Sequence, residues 1–125
     1  MNIHTRITLL STTLLVLAIA EVAPAVDLVT PPFNGAGADE LFCAILNKDA
    51  VARDVTIEVR DQNGQAVDSA SFDLSRRAVA SRSMKVSTGA RYCHFAVEGP
   101  KNRYRAAGCL ARGSPSRCVN ALPAR

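Results

Sequence analysis

The feature that most limits the fold is an alternation in which Val55, Ile57 and Val59 are apolar, Thr56, Glu58 and Arg60 between them are polar, and Asn63-Gly64 follows. Successive side chains of a strand point to opposite faces, so a period of two builds a half-buried strand and does not fit a helix. Asn-Gly tolerates the positive backbone angles of a tight hairpin turn. A two-residue loop there pairs Gln62 with Gln65 and sets Phe72 opposite Val55, Ala70 opposite Ile57 and Asp68 opposite Val59. The other face then carries Thr56 with Ser71, Glu58 with Ser69, and Arg60 with Val67. A slip of one residue buries that polar set, so the register is firmly specified. Asp68 is the exception on the inner face, at a rim position near the turn.

Cys93, Phe95 and Val97 alternate with His94, Ala96 and Glu98 ahead of the turn residues Gly99-Pro100-Lys101-Asn102. We read a second hairpin here, with Glu98 opposite Arg103, Val97 opposite Tyr104, Phe95 opposite Ala106 and Cys93 opposite Gly108. Residues 79–88 form a weaker strand with Met84 and Val86 on one side. The run Leu41-Phe42-Cys43-Ala44-Ile45-Leu46 fits a buried strand, the alternative being a helix that starts at Asp39. Short strands at this spacing predict an all-β domain: a small antiparallel β-sandwich of about seven strands, with an immunoglobulin-like or fibronectin-like arrangement.

The N-terminal segment differs from the rest. Residues 7–20 carry no charge after Arg6, and Ala18, Ala20, Ala23 and Ala25 supply small residues, which together read as a secretory signal peptide over residues 1–25. Cleavage fits after Ala20 or after Ala25. The apolar stretch is shorter than the roughly 20 residues a membrane-spanning helix needs. Residues 26–38, with Pro31, Pro32, Gly35 and Gly37, read as a flexible lead-in, and residues 39–125 as the single domain. A secreted or periplasmic location follows, and with it an oxidising compartment in which four cysteines form two disulfides. Cys109 with Cys118 closes a short polar loop, and Cys43 with Cys93 joins distant segments. Zinc bound by Cys93, His94, Cys109 and Cys118 is the weaker reading, because no two ligands have chelating spacing.

The order Leu41 to Asn47, Val55-Thr56-Ile57-Glu58-Val59, Asn63-Gly64, Tyr92-Cys93-His94-Phe95, Val97-Glu98-Gly99 and Cys118 to Ala124 resembles a group of small exported bacterial proteins with no assigned activity. The resemblance covers most of the chain after residue 25 and implies no catalytic residue.

The inventory for catalysis is short. His94 is the one histidine after residue 25, and the alternation puts it on the outward face of its strand as a solvated side chain. Gly113-Ser114-Pro115-Ser116 lacks the strand-turn-helix context of a nucleophile elbow. Asp39 with Glu40 and Asp49 with Asp54 read as solvated turns, and Asp61, Asn63 and Asp68 lack the bidentate Glu of a calcium loop. The chain therefore reads as a non-enzymatic protein needing no cofactor or metal.

Charge is the informative property. Residues 26–75 hold nine acidic and three basic side chains, and residues 76–125 one acidic and eleven basic, within a net charge of +4. One explanation is complementarity between neighbouring strands. The other is an exposed surface on which Arg91, Arg103, Arg105, Arg112 and Arg117 attract anionic glycolipid, acidic polysaccharide or an acidic protein, since the guanidinium fork holds phosphate or carboxylate with two bonds. Tyr92 and Tyr104 are interleaved with this set, but Tyr104 faces inward in the expected register and export removes the usual nucleic-acid target. We expect a binding or accessory module. The alternative function is a small secreted inhibitor or effector that presents the Cys109–Cys118 loop to a partner.

Overall fold

The computed structural model describes residues 25–35, 39–86, 89–113 and 117–125, so the expected signal peptide lies outside the described residues apart from Ala25. The described chain forms β1 (Ala25–Val29), β2 (Phe33–Asn34), β3 (Glu40–Asn47), β4 (Arg53–Asp61), β5 (Ala66–Leu74), β6 (Val79–Lys85), β7 (Ala90–Glu98), a 3₁₀ turn (Lys101–Arg103), β8 (Tyr104–Arg112) and β9 (Arg117–Pro123). The strands make two antiparallel sheets. The first has the order β1-β7-β4-β5, with β2 also on β7, and the second has the order β6-β3-β8-β9.

The core lies between the sheets and is filled by the apolar half of each alternation: Leu41, Cys43 and Ile45 from β3, Val55, Ile57 and Val59 from β4, and Cys93, Phe95 and Val97 from β7. Each large apolar side chain so buried contributes about 1.5–3 kcal/mol. Cys43 is bonded to Cys93 across the two sheets, and Cys109 to Cys118 between neighbouring strands of the second. The pairing of β3 with β6 and of β4 with β7, with a bridge from β3 to β7, is that of strands B, E, C and F of an immunoglobulin domain. The outer positions are filled differently. The strand after F pairs with F in that fold, whereas here β8 crosses to the second sheet beside β3, and β1 takes the place beside β7.

That crossing corrects the expected second hairpin. β7 and β8 do not pair: β7 lies between β1 and β4, and β8 between β3 and β9. Alternation says which face of a strand is buried but not which neighbour lies beside it, and Cys93, Phe95 and Val97 are equally well buried when β8 faces them from the opposite sheet. Tyr104 is buried as expected, and its hydroxyl donates to the Glu98 carbonyl across the connection.

The first hairpin keeps its core register, with Val55 opposite Phe72, Ile57 opposite Ala70 and Val59 opposite Asp68. Its turn is longer than two residues. Asp61 N donates to Gln65 O, Gly64 N donates to Asp61 O, and Gly64 alone in the loop has positive φ, at 78°. This is a three-residue loop closed by a left-handed glycine. The Asp61 carboxylate fixes it by accepting from the N–H groups of Asn63 and Gln65. The register then shifts between Val59 and Arg60, pairing Arg60 with Ala66 and leaving Val67 as a bulge residue, so the extra loop residue and the bulge cancel.

Of the segment read as a flexible lead-in, residues 26–29 and 33–34 are strands of the first sheet, and residues 36–38 lie outside the described residues. Val26 pairs with Val97 and Leu28 with Phe95, and Phe33 returns opposite Arg91. Between them Thr30 exchanges hydrogen bonds with Cys93, while Pro31 and Pro32 carry no N–H to donate. Two prolines thus interrupt the pairing and hide the periodicity, although Leu28 and Phe33 are both core residues. The chain closes on itself beyond β1, where Val29 and Arg125 exchange two backbone hydrogen bonds of 3.0 and 3.1 Å. On the opposite side, Asp68 of β5 and Arg82 of β6 form a bidentate pair from one sheet to the other at 2.6 and 2.9 Å. Both are edge strands, and inward-pointing charges on an edge discourage pairing with another chain.

Candidate functional site

The five arginines expected to converge are divided between the two ends of the sandwich. Arg103 on the 3₁₀ turn and Arg105 near the start of β8 lie at the crossover end. Arg91 is the second residue of β7, Arg112 ends β8 and Arg117 begins β9, all at the other end. Seven residues of extended strand separate Arg105 from Arg112, about 23 Å at strand rise. Arg112 is also committed, because its Nε and Nη2 donate to the carboxylate of Asp39 at 2.7 and 2.9 Å. Arg91 donates to the carbonyl of Ala90, and Arg117 stands opposite Arg112 in the ladder. Part of the charge asymmetry is therefore internal pairing, since Arg82 binds Asp68 and Arg112 binds Asp39 from one half to the other, while Arg53 with Asp49 and Arg60 with Glu58 pair within the acidic half.

What remains concentrates at the crossover end. After Pro123 the last residues leave β9 and cross toward β1, held by Ala124 N donating to Ala106 O and by the Val29–Arg125 exchange. This crossing leaves a cleft of about 520 Å³ whose walls include Leu28, Tyr104 and Pro123 and whose charged lining is Lys101, Arg105 and Arg125. All three cations are exposed, and among the described residues no acidic side chain lines the cleft. Arg103 sits beside it but faces Asp49, whose carboxyl is held below its ordinary range first by the N–H of Ala50 and then by Arg53, with Arg103 adding to both. Of the predicted residues, only Arg105 belongs to the cleft itself. Lys101 joins it from the 3₁₀ turn just before β8, and Arg125 because the C-terminal residues cross back to β1.

His94 is not the solvated side chain the alternation suggested. It does face outward on β7, yet it is 7% exposed. Its Nε2 lies 3.1 Å from Asp27 on β1, and its Nδ1 lies 3.2 Å from Glu58 on β4. The second contact is at ion-pair distance but off the line of an N–H···O bond, so Nδ1 is buried without a hydrogen-bond partner. Arg60 binds Glu58 from the other side at 2.7 Å. The flanking strand β1 was hidden from sequence reasoning, and with it Asp27.

The cysteines are all bonded in pairs, which removes the thiolates a zinc site needs. The two carboxylates at His94 face opposite edges of the ring, and among the described residues no three His, Cys, Asp or Glu side chains converge as metal ligands. Asp61 is occupied by backbone N–H groups and Asp68 by Arg82, which uses both acids of the conceivable calcium set. The tip of the Cys109–Cys118 loop, residues 114–116, lies outside the described residues. No family model, curated protein or solved structure matches the chain.

Proposed function

We propose that the protein is an exported, non-enzymatic binding module that holds an anionic partner, of the kind presented by acidic envelope glycolipids or polysaccharides, in the cleft at the crossover end. The observation that carries this reading is the set Lys101, Arg105 and Arg125 around one cleft, with no Asp or Glu side chain among the described residues that line it. Three like charges without internal partners repel one another and gain when an anion enters between them, and Arg105 and Arg125 can each grip a phosphate or carboxylate with two N–H groups. Export is supported by the N-terminal charge and hydropathy pattern and by two disulfides, which persist in a non-reducing environment. Among the described residues no helix is long and apolar enough to cross a membrane. The non-enzymatic reading is supported by His94, which is wedged between two carboxylates as a link between β1, β7 and β4.

The test is binding of the oxidised protein to dextran sulfate and to vesicles containing phosphatidylglycerol, measured at low and high salt. Exposed charges are screened beyond about 8 Å at physiological ionic strength, so binding should weaken steeply as salt is raised. Reversing the cleft in a Lys101→Glu, Arg105→Glu variant should reduce affinity at least about tenfold. An Arg76→Glu, Arg77→Glu variant, with the same change in net charge on the β5–β6 turn, should lose far less. Salt-insensitive binding, or equal losses in both variants, refutes the reading.

A further inference from the structure

The outer face of the first sheet carries a second recess, separate from the cationic cleft. It is a trough of about 510 Å³ along β7, with Tyr92 and His94 on its floor, Asp27 and Pro32 on the β1–β2 side, and Arg60 and Gln62 on the β4 side. That volume falls within the range of about 300–1,000 Å³ usual for small-ligand sites. The walls combine apolar surface with a few polar groups, of which Arg60 is held by Glu58 and Asp27 touches His94.

We propose that this trough binds a neutral saccharide, with a pyranose ring resting on Tyr92. The charges argue for a neutral ligand. The Arg60 charge is balanced by Glu58 at 2.7 Å, and the Asp27 carboxylate at the rim repels an anion. A cation meets Arg60 beside the same carboxylate. A pyranose has a face of C–H bonds and a rim of hydroxyls that both donate and accept, which matches an aromatic ring flanked by a carboxylate, an amide and a guanidinium. Tyr92 is half-buried, and aromatic side chains supply a large apolar contact surface at small entropic cost. Asp27 side-chain exposure of 63% leaves its oxygens free to accept hydroxyl protons, while His94 at 3.1 Å limits their movement. A group positioned before the ligand arrives loses less freedom on binding. Arg60 retains N–H groups beyond the two that Glu58 takes, and Gln62 is exposed and can both donate and accept.

The experiment is titration of the isotope-labelled, oxidised protein with maltotetraose, cellotetraose, mannotetraose and chitotetraose, each to about 10 mM, with amide shifts read by NMR; contacts of this size suit dissociation constants from about 0.1 to 5 mM. At least one sugar should shift the amides of residues 27–30, 60–62 and 90–94 and leave residues 101–105 unmoved. Binding should change less than about twofold over a tenfold change in salt, because no charge pairing drives it. Tyr92→Ala should weaken it at least about tenfold, Tyr92→Phe should retain most of it, and Lys101→Glu should leave it unchanged. The proposal is overturned if none of the four sugars moves the trough residues, or if Tyr92→Ala keeps full affinity in a protein whose spectrum shows it folded. It is equally overturned if polygalacturonate occupies the trough more tightly than every neutral sugar. Shifts confined to residues 101–125 would assign the sugar to the cationic cleft and likewise refute it.

Discussion

Gly108 on β8 packs directly against Phe33 and Cys93 of the facing sheet. A Cβ added there would sit 2.7 Å from Cε2 of Phe33, 2.9 Å from Sγ of Cys93 and 3.0 Å from Cζ of Phe33. Gly108 is not among the residues with positive φ, so its backbone accepts any side chain and the obstacle is purely packing. At an unobstructed position Gly→Ala stabilises by about 0.4–1 kcal/mol by restricting the unfolded chain. Here the added methyl must displace an aromatic ring and a disulfide sulfur, and overpacking of this kind costs about 1–3 kcal/mol. We therefore expect Gly108→Ala to destabilise by about 1–2 kcal/mol, or roughly 5–15 °C in a domain of this size. The assay is guanidinium unfolding of the oxidised protein followed by far-ultraviolet circular dichroism, since the sequence has no Trp to report by fluorescence. Phe33→Ala alone should cost about 3–5 kcal/mol. In the Phe33→Ala background the same Gly108→Ala change should cost at least about 1 kcal/mol less, because the methyl enters the space the ring vacated. The remaining contact with Cys93 keeps the relief incomplete. A stabilising Gly108→Ala, or strict additivity of the two changes, would refute the packing argument.

Two further outcomes follow from electrostatics and burial. The carboxyl of Glu98 titrates above its ordinary 4.5, first because of its hydrogen bond to the Asp54 carboxyl and then because of burial. A raised acid pKa means the native state holds that proton more firmly, so this contribution is full below pH 4.5 and is lost as pH rises through the shifted value. Asp54→Asn should remove most of that loss and raise stability at neutral pH by about 0.2–1 kcal/mol, measured as the difference in unfolding midpoint between pH 4 and pH 7. An unchanged pH profile would count against the pairing. The disulfides should differ in accessibility: Cys43 and Cys93 are fully buried, whereas Cys118 is exposed and Cys109 half-buried. Mild reductant followed by alkylation and mass spectrometry should label Cys109 and Cys118 first, and the reverse order would contradict the burial.

Much of the fold was legible because β4, β5 and β3 bury one face each, and a period of two states that directly. The core register of the β4–β5 hairpin was readable from the apolar pairs alone. Its turn was not, because a three-residue loop with a bulge and a two-residue loop without one give the same core pairing. The lead-in was misread because Pro31 and Pro32 interrupt the pattern, so Leu28 and Phe33 appeared as isolated apolar residues. The candidate sites were the least legible. Arg105 is legible as a candidate, but Lys101 reaches it through the 3₁₀ turn and Arg125 only through the exchange between Val29 and Arg125.

What the sequence determined by itself is which side of each strand faces the interior and that distant cysteines could join two layers, since alternation and oxidation are local or pairwise properties of the residues. What only the tertiary structure decided is lateral order: β8 beside β3 and not β7, β1 in the position left open, and Asp27 brought against His94. Burial drives a strand to cover its apolar face but is nearly indifferent to which edge it joins, so the choice falls to the packing of the whole sandwich, and each candidate site is made where those choices meet.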